Sequence, residues 1–227
     1  MIKKIDLVVF DMAGTTVNED NVVYKTLQKS IHESGYNVSL YFVLKHGAGK
    51  EKHQAIKDIL AELPKSENQQ HTSEAIFKKF KIYLDKAYTD LNVTPCIGVA
   101  SLFPILKEAG IKIALNTGYN SNLANMLLDK LEWKLGIHYD ALITASDVVH
   151  GRPNPDMIYK AMKELNVTNS EKVLKAGDSI IDIEEGKNAS CGITVGVTTG
   201  AHSRAQLKSA NPTYVLDSLL ELTDILI

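Results

Sequence analysis

The sequence predicts an α/β protein: a parallel-sheet core carrying an inserted α-helical domain. Three observations carry this. Short apolar, β-branched runs recur at 5–10, 112–116, 141–144, 173–176 and 194–197. Helical patterns separate the later runs, and strands alternating with helices are the pattern of a parallel sheet covered on both faces. The stretch from Asn18 to Thr94 is helical in period throughout, so the chain leaves the sheet after its first strand and returns near Pro95.

Taken in order, IDLVVF (5–10) reads as a buried strand ending at Asp11, with Gly14 in the following turn. In the insertion, Tyr24, Leu27 and Ile31 share one helix face; Ile56, Ile59, Leu60 and Leu63 another; Ile76, Phe77, Phe80 and Leu84 a third. Pro64 and the polar run 65–73 divide these into hairpins. KIALN, ALIT, VLKA and TVGV are the remaining strands, and Ser121–Leu131, Pro155–Leu165 and Ile181–Asn188 the helices between them. The expected division is 1–17 with 95–227 for the core and 18–94 for the helical domain. That gives a core of about 150 residues and an insertion of nearly 80, ordinary domain sizes.

Composition narrows the function classes. With 25 Lys+Arg against 27 Asp+Glu in 227 residues, the formal charge is -2, without the basic excess of a nucleic-acid or membrane-surface binder. The two cysteines, Cys96 and Cys191, lack disulfide-scaffold or zinc spacing. The start MIKKIDLVVFD is broken by Asp6 and Asp11 and lacks a small-residue cleavage site. No run reaches the roughly 18 apolar residues of a membrane span, so a cytoplasmic protein is expected.

Ligands of open parallel sheets bind at the carboxyl ends of the strands, so the polar residues just after each apolar run matter most. They are Asp11, Thr117, Arg152, and the pair Asp178 and Asp182 in GDSIID. Asp11 reads as a nucleophile, a metal ligand or a turn-capping aspartate. Asp178 and Asp182 are oxygen ligands suited to a hard cation such as Mg2+, or else a turn former and a helix-start charge. Thr117 and Gly118 offer a hydroxyl and backbone amides to an oxyanion. Arg152 offers a planar donor fork to phosphate oxygens. Taken singly, each also has an ordinary structural reading as cap, turn or solvated loop charge.

Their order along the chain resembles the haloacid dehalogenase superfamily of phosphohydrolases. The resemblance spans the whole chain and implies a Rossmann-like core with an α-helical cap. It further implies a covalent intermediate at Asp11, with Mg2+ held by Asp11, the Ala13 carbonyl, Asp178 and Asp182. Two positions depart from the superfamily's common pattern. Ala13 stands where a second aspartate serves as acid and base, and Arg152 replaces the usual lysine. Expelling an alkoxide without a general acid costs about 10²- to 10⁴-fold.

Both departures, with DMAGTT at 11–16, look like phosphonoacetaldehyde hydrolase and its phosphonatase-like relatives. There a cap lysine forms a Schiff base with the substrate aldehyde, so the leaving group is an enamine that needs no acid at the Ala13 position. HGAGKEKH (46–53) matches the family's lysine stretch, which assigns the imine to Lys50 and proton transfer to His53 on the same helix face, with Lys52 the fallback. Tyr119 and His46 would line the substrate pocket. His46 stands where the family usually has methionine, and the short segment after Gly200 resembles the phosphonatase-like sister group. The implied partner is a small phosphorus-containing metabolite, with a cap-mediated homodimer. A phosphatase for monoesters with good leaving groups and a non-catalytic phosphometabolite-binding protein are the alternatives.

Overall fold

The computed structural model describes residues 4–48, 50–63 and 69–227, with side chains of the last segment from Ser73 onward. The chain forms two compact units: residues 1–18 with 93–227, and residues 19–92.

The first unit holds strands β1 (Leu7–Asp11), β2 (Val17–Asn18), β3 (Thr94–Pro95), β4 (Lys112–Thr117), β5 (Ala141–Thr144), β6 (Val173–Gly177), β7 (Ile193–Val197) and β8 (Tyr214–Leu216). Six of them form one sheet in the order β5-β4-β1-β6-β7-β8, and every pairing in it is parallel. A central parallel strand is covered on both faces, which is why β1 reads as an unbroken apolar run. On one face Leu7 and Val9 pack with Met157, Ile158 and Ala161 of the helix Asp156–Glu164. On the other, Phe10 meets Phe103, their ring centroids 5.6 Å apart, and Phe103 lies on the helix Val99–Glu108.

Register sets the functional edge. Asp11 is opposite Asn116, and Phe10 is opposite both Leu115 and Ala176, so β1, β4 and β6 end side by side. The chain builds outward from β1 in both directions, which makes this edge a topological switch point, the place where open α/β sheets bind their ligands. The apolar runs predicted five of the six strands. β8 escaped because it is a three-residue edge strand, half-buried or exposed except at Leu216.

After β1 the chain turns tightly. The amides of Thr15, Thr16 and Val17 all donate to the Met12 carbonyl, and the Thr16 hydroxyl donates to the Asp11 carbonyl at 2.9 Å. Gly14 takes φ +76°, the left-handed region that glycine enters without a Cβ clash. β2 then pairs antiparallel with β3, so Asn18 and Thr94, assigned to the insertion by sequence pattern, lie with the first unit.

The second unit contains, among the described residues, helices α1 (Val22–His32), α2 (Leu40–Gly47), α3 (Lys52–Ala61) and α4 (Gln69–Asp90). Its interior gathers Val23, Leu27 and Ile31 from α1, Val43 from α2, Ala55, Ile56 and Ile59 from α3, and Ile76 and Phe80 from α4. The buried face of α1 runs through Val23, leaving Tyr24 half-buried. α3 stops at Ala61, short of Leu63, and the Pro64 breaker lies outside the described residues. In the first unit the remaining helices are α5 (Val99–Glu108), α6 (Ser121–Lys130), α7 (Asp156–Glu164), α8 (Ile180–Asn188), α9 (Arg204–Ser209) and α10 (Thr223–Leu226). Among the described residues no helix is long and apolar enough to cross a membrane.

Candidate active site

The strand ends assemble a buried charge cluster. Asp11, the last residue of β1, is 5% exposed, and its Oδ1 accepts a 2.6 Å bond from Arg152 NH1. Arg152 comes from the loop before α7, after Gly151, and is joined to Pro153 by a cis peptide bond. Its side chain is as buried as its partners, far from the solvated state usual for a loop arginine. NH2 donates to the Asn116 carbonyl (2.8 Å) and to Asn116 Oδ1 (2.7 Å), and Nε donates to Glu185 Oε2 (3.1 Å). A guanidinium can satisfy acceptors in three directions within one plane, which a lysine cannot.

The acidic motif supplies the opposite charges. Asp178 follows β6, and Asp182 lies in the first turn of α8, where carboxylates are favoured by the helix dipole. Asp182 Oδ1 is 2.9 Å from Lys175 Nζ and 3.2 Å from Arg152 NH1, while Oδ2 accepts from the Ser179 hydroxyl at 2.6 Å. Asp178 Oδ2 accepts from the Ala201 amide. Gly14 and Gly200 wall this carboxylate so closely that a Cβ on either would overlap it.

The three carboxyls are not electrostatically equal. Burial pushes Asp178 well above the usual carboxylate range, and the neighbouring Asp11 and Asp182 push it further. Burial also raises Asp11, against the pull of Arg152. Burial works against ionising Asp182 too, yet Arg152 and Lys175 outweigh it and hold its carboxyl at about 2. Arg152 is raised above its ordinary range: burial opposes its charge, but Asp182, Asp11 and Glu185 more than offset that.

One oxygen each from Asp11, Asp178 and Asp182 lies within 4.8 Å of the other two. Around them two buried cations, Arg152 and Lys175, face four buried carboxylates, those three and Glu185. A divalent cation would neutralise that excess, and an all-oxygen donor set is the one Mg2+ takes. The residues therefore fit the metal. Asp182 is already engaged by two cations, so Asp11 and Asp178 are the freer donors.

Thr117, 2% exposed at the end of β4, accepts the Tyr119 amide at 3.2 Å and caps the turn. Its own hydroxyl proton remains to donate. Gly118 is exposed, and an added Cβ there would meet nothing within 4 Å, so packing does not demand a glycine. Tyr119 is half-buried, its carbonyl accepting from the Ala145 amide. Ala13 is half-buried two residues beyond Asp11, bridged to Val17.

Three residues escaped the sequence reading: Asn116, Lys175 and Glu185. Asn116 donates both ways to the Glu185 carboxylate, at 2.9 and 3.0 Å, and accepts from Lys175 at 2.7 Å. Lys175 is fully buried in β6. A signal existed: lysine inside an apolar run whose strand is central must find buried carboxylates.

In the helical unit, the expectation that Lys50 and His53 share a helix face is corrected. α3 begins at Lys52 with Glu51 as its N-cap, taking the His53 and Gln54 amides, so Lys50 precedes the helix. Its ammonium pairs with Asp58 Oδ2 at 2.5 Å, and Gln54 donates to Asp58 Oδ1. Lys52 follows as the first residue of α3. Its Nζ donates to the Lys50 carbonyl at 2.8 Å and lies over the Tyr24 ring, 5.0 Å from the centroid. His53 stacks on Phe77 (4.9 Å), and its buried Nε2 has no hydrogen-bond partner among the described residues. His46 packs its ring against Phe42 at 4.5 Å.

The parallel sheet thus gathers a strand-end aspartate, an arginine and a second acidic pair into one buried cluster. A family profile for haloacid dehalogenase-like hydrolases matches residues 5–190. Phosphonoacetaldehyde hydrolase of Parabacteroides distasonis is 33% identical over 215 residues, covering 88% of this chain and 79% of that protein. Among solved structures, a phosphonoacetaldehyde hydrolase-like protein from Oleispira antarctica superposes with a TM-score of 0.81 at 23% identity, covering 99% of this chain and 93% of that one. A predicted phosphoglycolate phosphatase from Haemophilus somnus gives 0.77 at 20% identity, covering 97% of each. The chain belongs to the haloacid dehalogenase-like hydrolases.

Proposed function

We infer that this hydrolase is Mg2+-dependent and cleaves the carbon–phosphorus bond of phosphonoacetaldehyde or a near analogue. The observation that carries this reading is Ala13. The position two residues beyond Asp11 can neither donate nor accept a proton, so the leaving group must depart without one. Relatives named phosphonoacetaldehyde hydrolase support it.

In this reading the Lys50 amine, released from Asp58 and deprotonated, attacks the aldehyde. Water leaves and a protonated imine forms. His53 moves protons in that step, through a ring nitrogen that has no partner among the described residues. Asp11 then attacks phosphorus, and the electron pair of the breaking carbon–phosphorus bond flows into the iminium, giving an enamine and an aspartyl phosphate. Protonation of the enamine carbon and hydrolysis of the imine free acetaldehyde and Lys50, and a second water releases phosphate from Asp11. Thr117 through its hydroxyl and Arg152 through its positive charge stabilise the phosphoryl oxygens throughout. Mg2+, held by Asp11, Asp178, Asp182 and the Ala13 carbonyl, would supply positive charge against the phosphoryl group.

Phosphate release from phosphonoacetaldehyde and from a phosphoester panel tests this, with wild type, Lys50→Ala and Asp11→Asn. Both variants should lose phosphonate cleavage, and borohydride with substrate should label Lys50. Full phosphonate cleavage by Lys50→Ala, with the wild type unlabelled, would overturn the imine step. Turnover restricted to phosphate monoesters with good leaving groups, lost only in Asp11→Asn, would instead establish the phosphatase alternative.

A further inference from the structure

Lys175 has no part in the chemistry set out above, yet it is the fully buried cation of the site. It is the third residue of β6, with β1 hydrogen-bonded on one side and β7 on the other. A buried ammonium persists only where its donors are met, and three acceptors meet this one. They are Asn116 Oδ1 at 2.7 Å, Asp182 Oδ1 at 2.9 Å and Glu185 Oε2 at 3.2 Å.

Each of these three atoms is also held by Arg152. NH2 donates to Asn116 Oδ1, NH1 lies 3.2 Å from Asp182 Oδ1, and Nε donates to Glu185 Oε2. NH1 alone reaches Asp11. Asn116 locks the arrangement further, because its Nδ2 donates to Glu185 while its Oδ1 takes both cations. Lys175 touches neither Asp11 nor Asp178 among the bonds and ion pairs of the site.

We propose that Lys175 is a positioning residue for the phosphoryl site: by pinning the acceptors it shares with Arg152, it holds the guanidinium plane so that NH1 stays aimed at Asp11 Oδ1. Arg152 comes from a loop and is anchored through its side chain. With Lys175 removed, Asn116 Oδ1, Asp182 and Glu185 lose a common donor, and the fork can re-seat on them with NH1 turned away from Asp11. A misplacement of this kind costs transition-state complementarity more than ground-state binding.

The experiment compares orthovanadate, which mimics the transferring phosphoryl group, with inorganic phosphate, both titrated calorimetrically in the presence of Mg2+. Lys175→Met should weaken vanadate by about 10- to 100-fold and phosphate by several-fold less. In an Arg152→Lys background, which has no fork to position, the same substitution should change vanadate affinity by less than about threefold. If Lys175→Met does not fold, Lys175→Met/Glu185→Gln removes one charge of each sign and should give the same contrast between the two backgrounds. Equal losses in both backgrounds, or equal losses for both anions, would show a merely structural lysine. Unchanged vanadate affinity would likewise overturn the proposal. The proposal rests on phosphoryl transfer at Asp11. A wild type that binds neither anion sinks that reading, whereas the comparisons above sink only the role of Lys175.

Discussion

Replacing Gly200 with alanine adds a single methyl group, and the structure predicts that it displaces Asp178 from the carboxylate cluster. Gly200 is outside the left-handed region, so its backbone accepts alanine and only the new Cβ matters. That atom would stand 2.7 Å from Asp178 Cβ and closer still to the carboxylate. Asp178 has no free direction to retreat. A Cβ on Gly14 would lie 2.5 Å from its Oδ2, the Ala201 amide holds that same oxygen, and the residue is 6% exposed. Overpacking costs roughly 1–3 kcal/mol and a lost hydrogen bond to a charged group roughly 1.5–3 kcal/mol. Together they amount to about 3–6 kcal/mol, which lowers the melting temperature of a chain this size by roughly 6–24 °C. Thermal melts with and without Mg2+ measure both parts: the midpoint should fall, and the rise produced by Mg2+ should shrink as Asp178 is displaced. Gly118→Ala is the control, since its Cβ meets nothing and should shift stability by no more than about 0.5 kcal/mol. A Gly200→Ala protein with the wild-type midpoint and Mg2+ response would refute the packing argument.

Two further outcomes follow from individual groups. Burial makes ionising Asp58 harder, but the bonds from Lys50 and Gln54 win and hold its carboxyl below the usual range. A depressed carboxyl adds stability above its unfolded pKa of about 3.9 and loses it as pH falls through the folded value. Asp58→Asn should therefore melt below wild type at pH 7, and the gap should close as pH falls below about 4; a gap that widens in acid would contradict the ion pair. Burial pushes the Cys191 thiol up to about 12. At pH 8, iodoacetamide should label it on the order of 10²- to 10³-fold more slowly in the native protein than in urea. Equal rates by mass spectrometry would show the thiol to be open.

Much of the site was legible because strand ends announce themselves. An apolar run followed at once by a polar residue marks where a parallel sheet presents side chains to its crevice, and Asp11, Thr117 and Asp178 follow that rule. Arg152 was visible by residue type and order, but not its burial, since nothing local distinguishes a solvated loop arginine from one paired with three buried carboxylates. Lys175 and Glu185 were hidden for the opposite reason. Each sits inside an element whose pattern had already been explained, a strand and a helix, and their partners lie up to 69 positions away. Helix phase misled at Lys50: the pattern HGAGKEKH placed it in the helix with His53, but Glu51 caps the amides of His53 and Gln54 and the helix starts at Lys52, two residues too late to include it.

Alternation of apolar runs with helical patterns is a local property of the chain, and so the sequence alone determined a parallel sheet, an inserted helical stretch and the strand-end positions that carry the chemistry. Which charges neutralise which was decided only in three dimensions. Burial raises the cost of an unpaired charge by several kcal/mol, and only the packed strand ends show that Asn116, Asp182 and Glu185 answer Lys175 and Arg152 together. The pairing that aims the arginine at Asp11 is thus a consequence of the sheet's register, which brings residues from β1, β4, β6, α8 and a distant loop to one point.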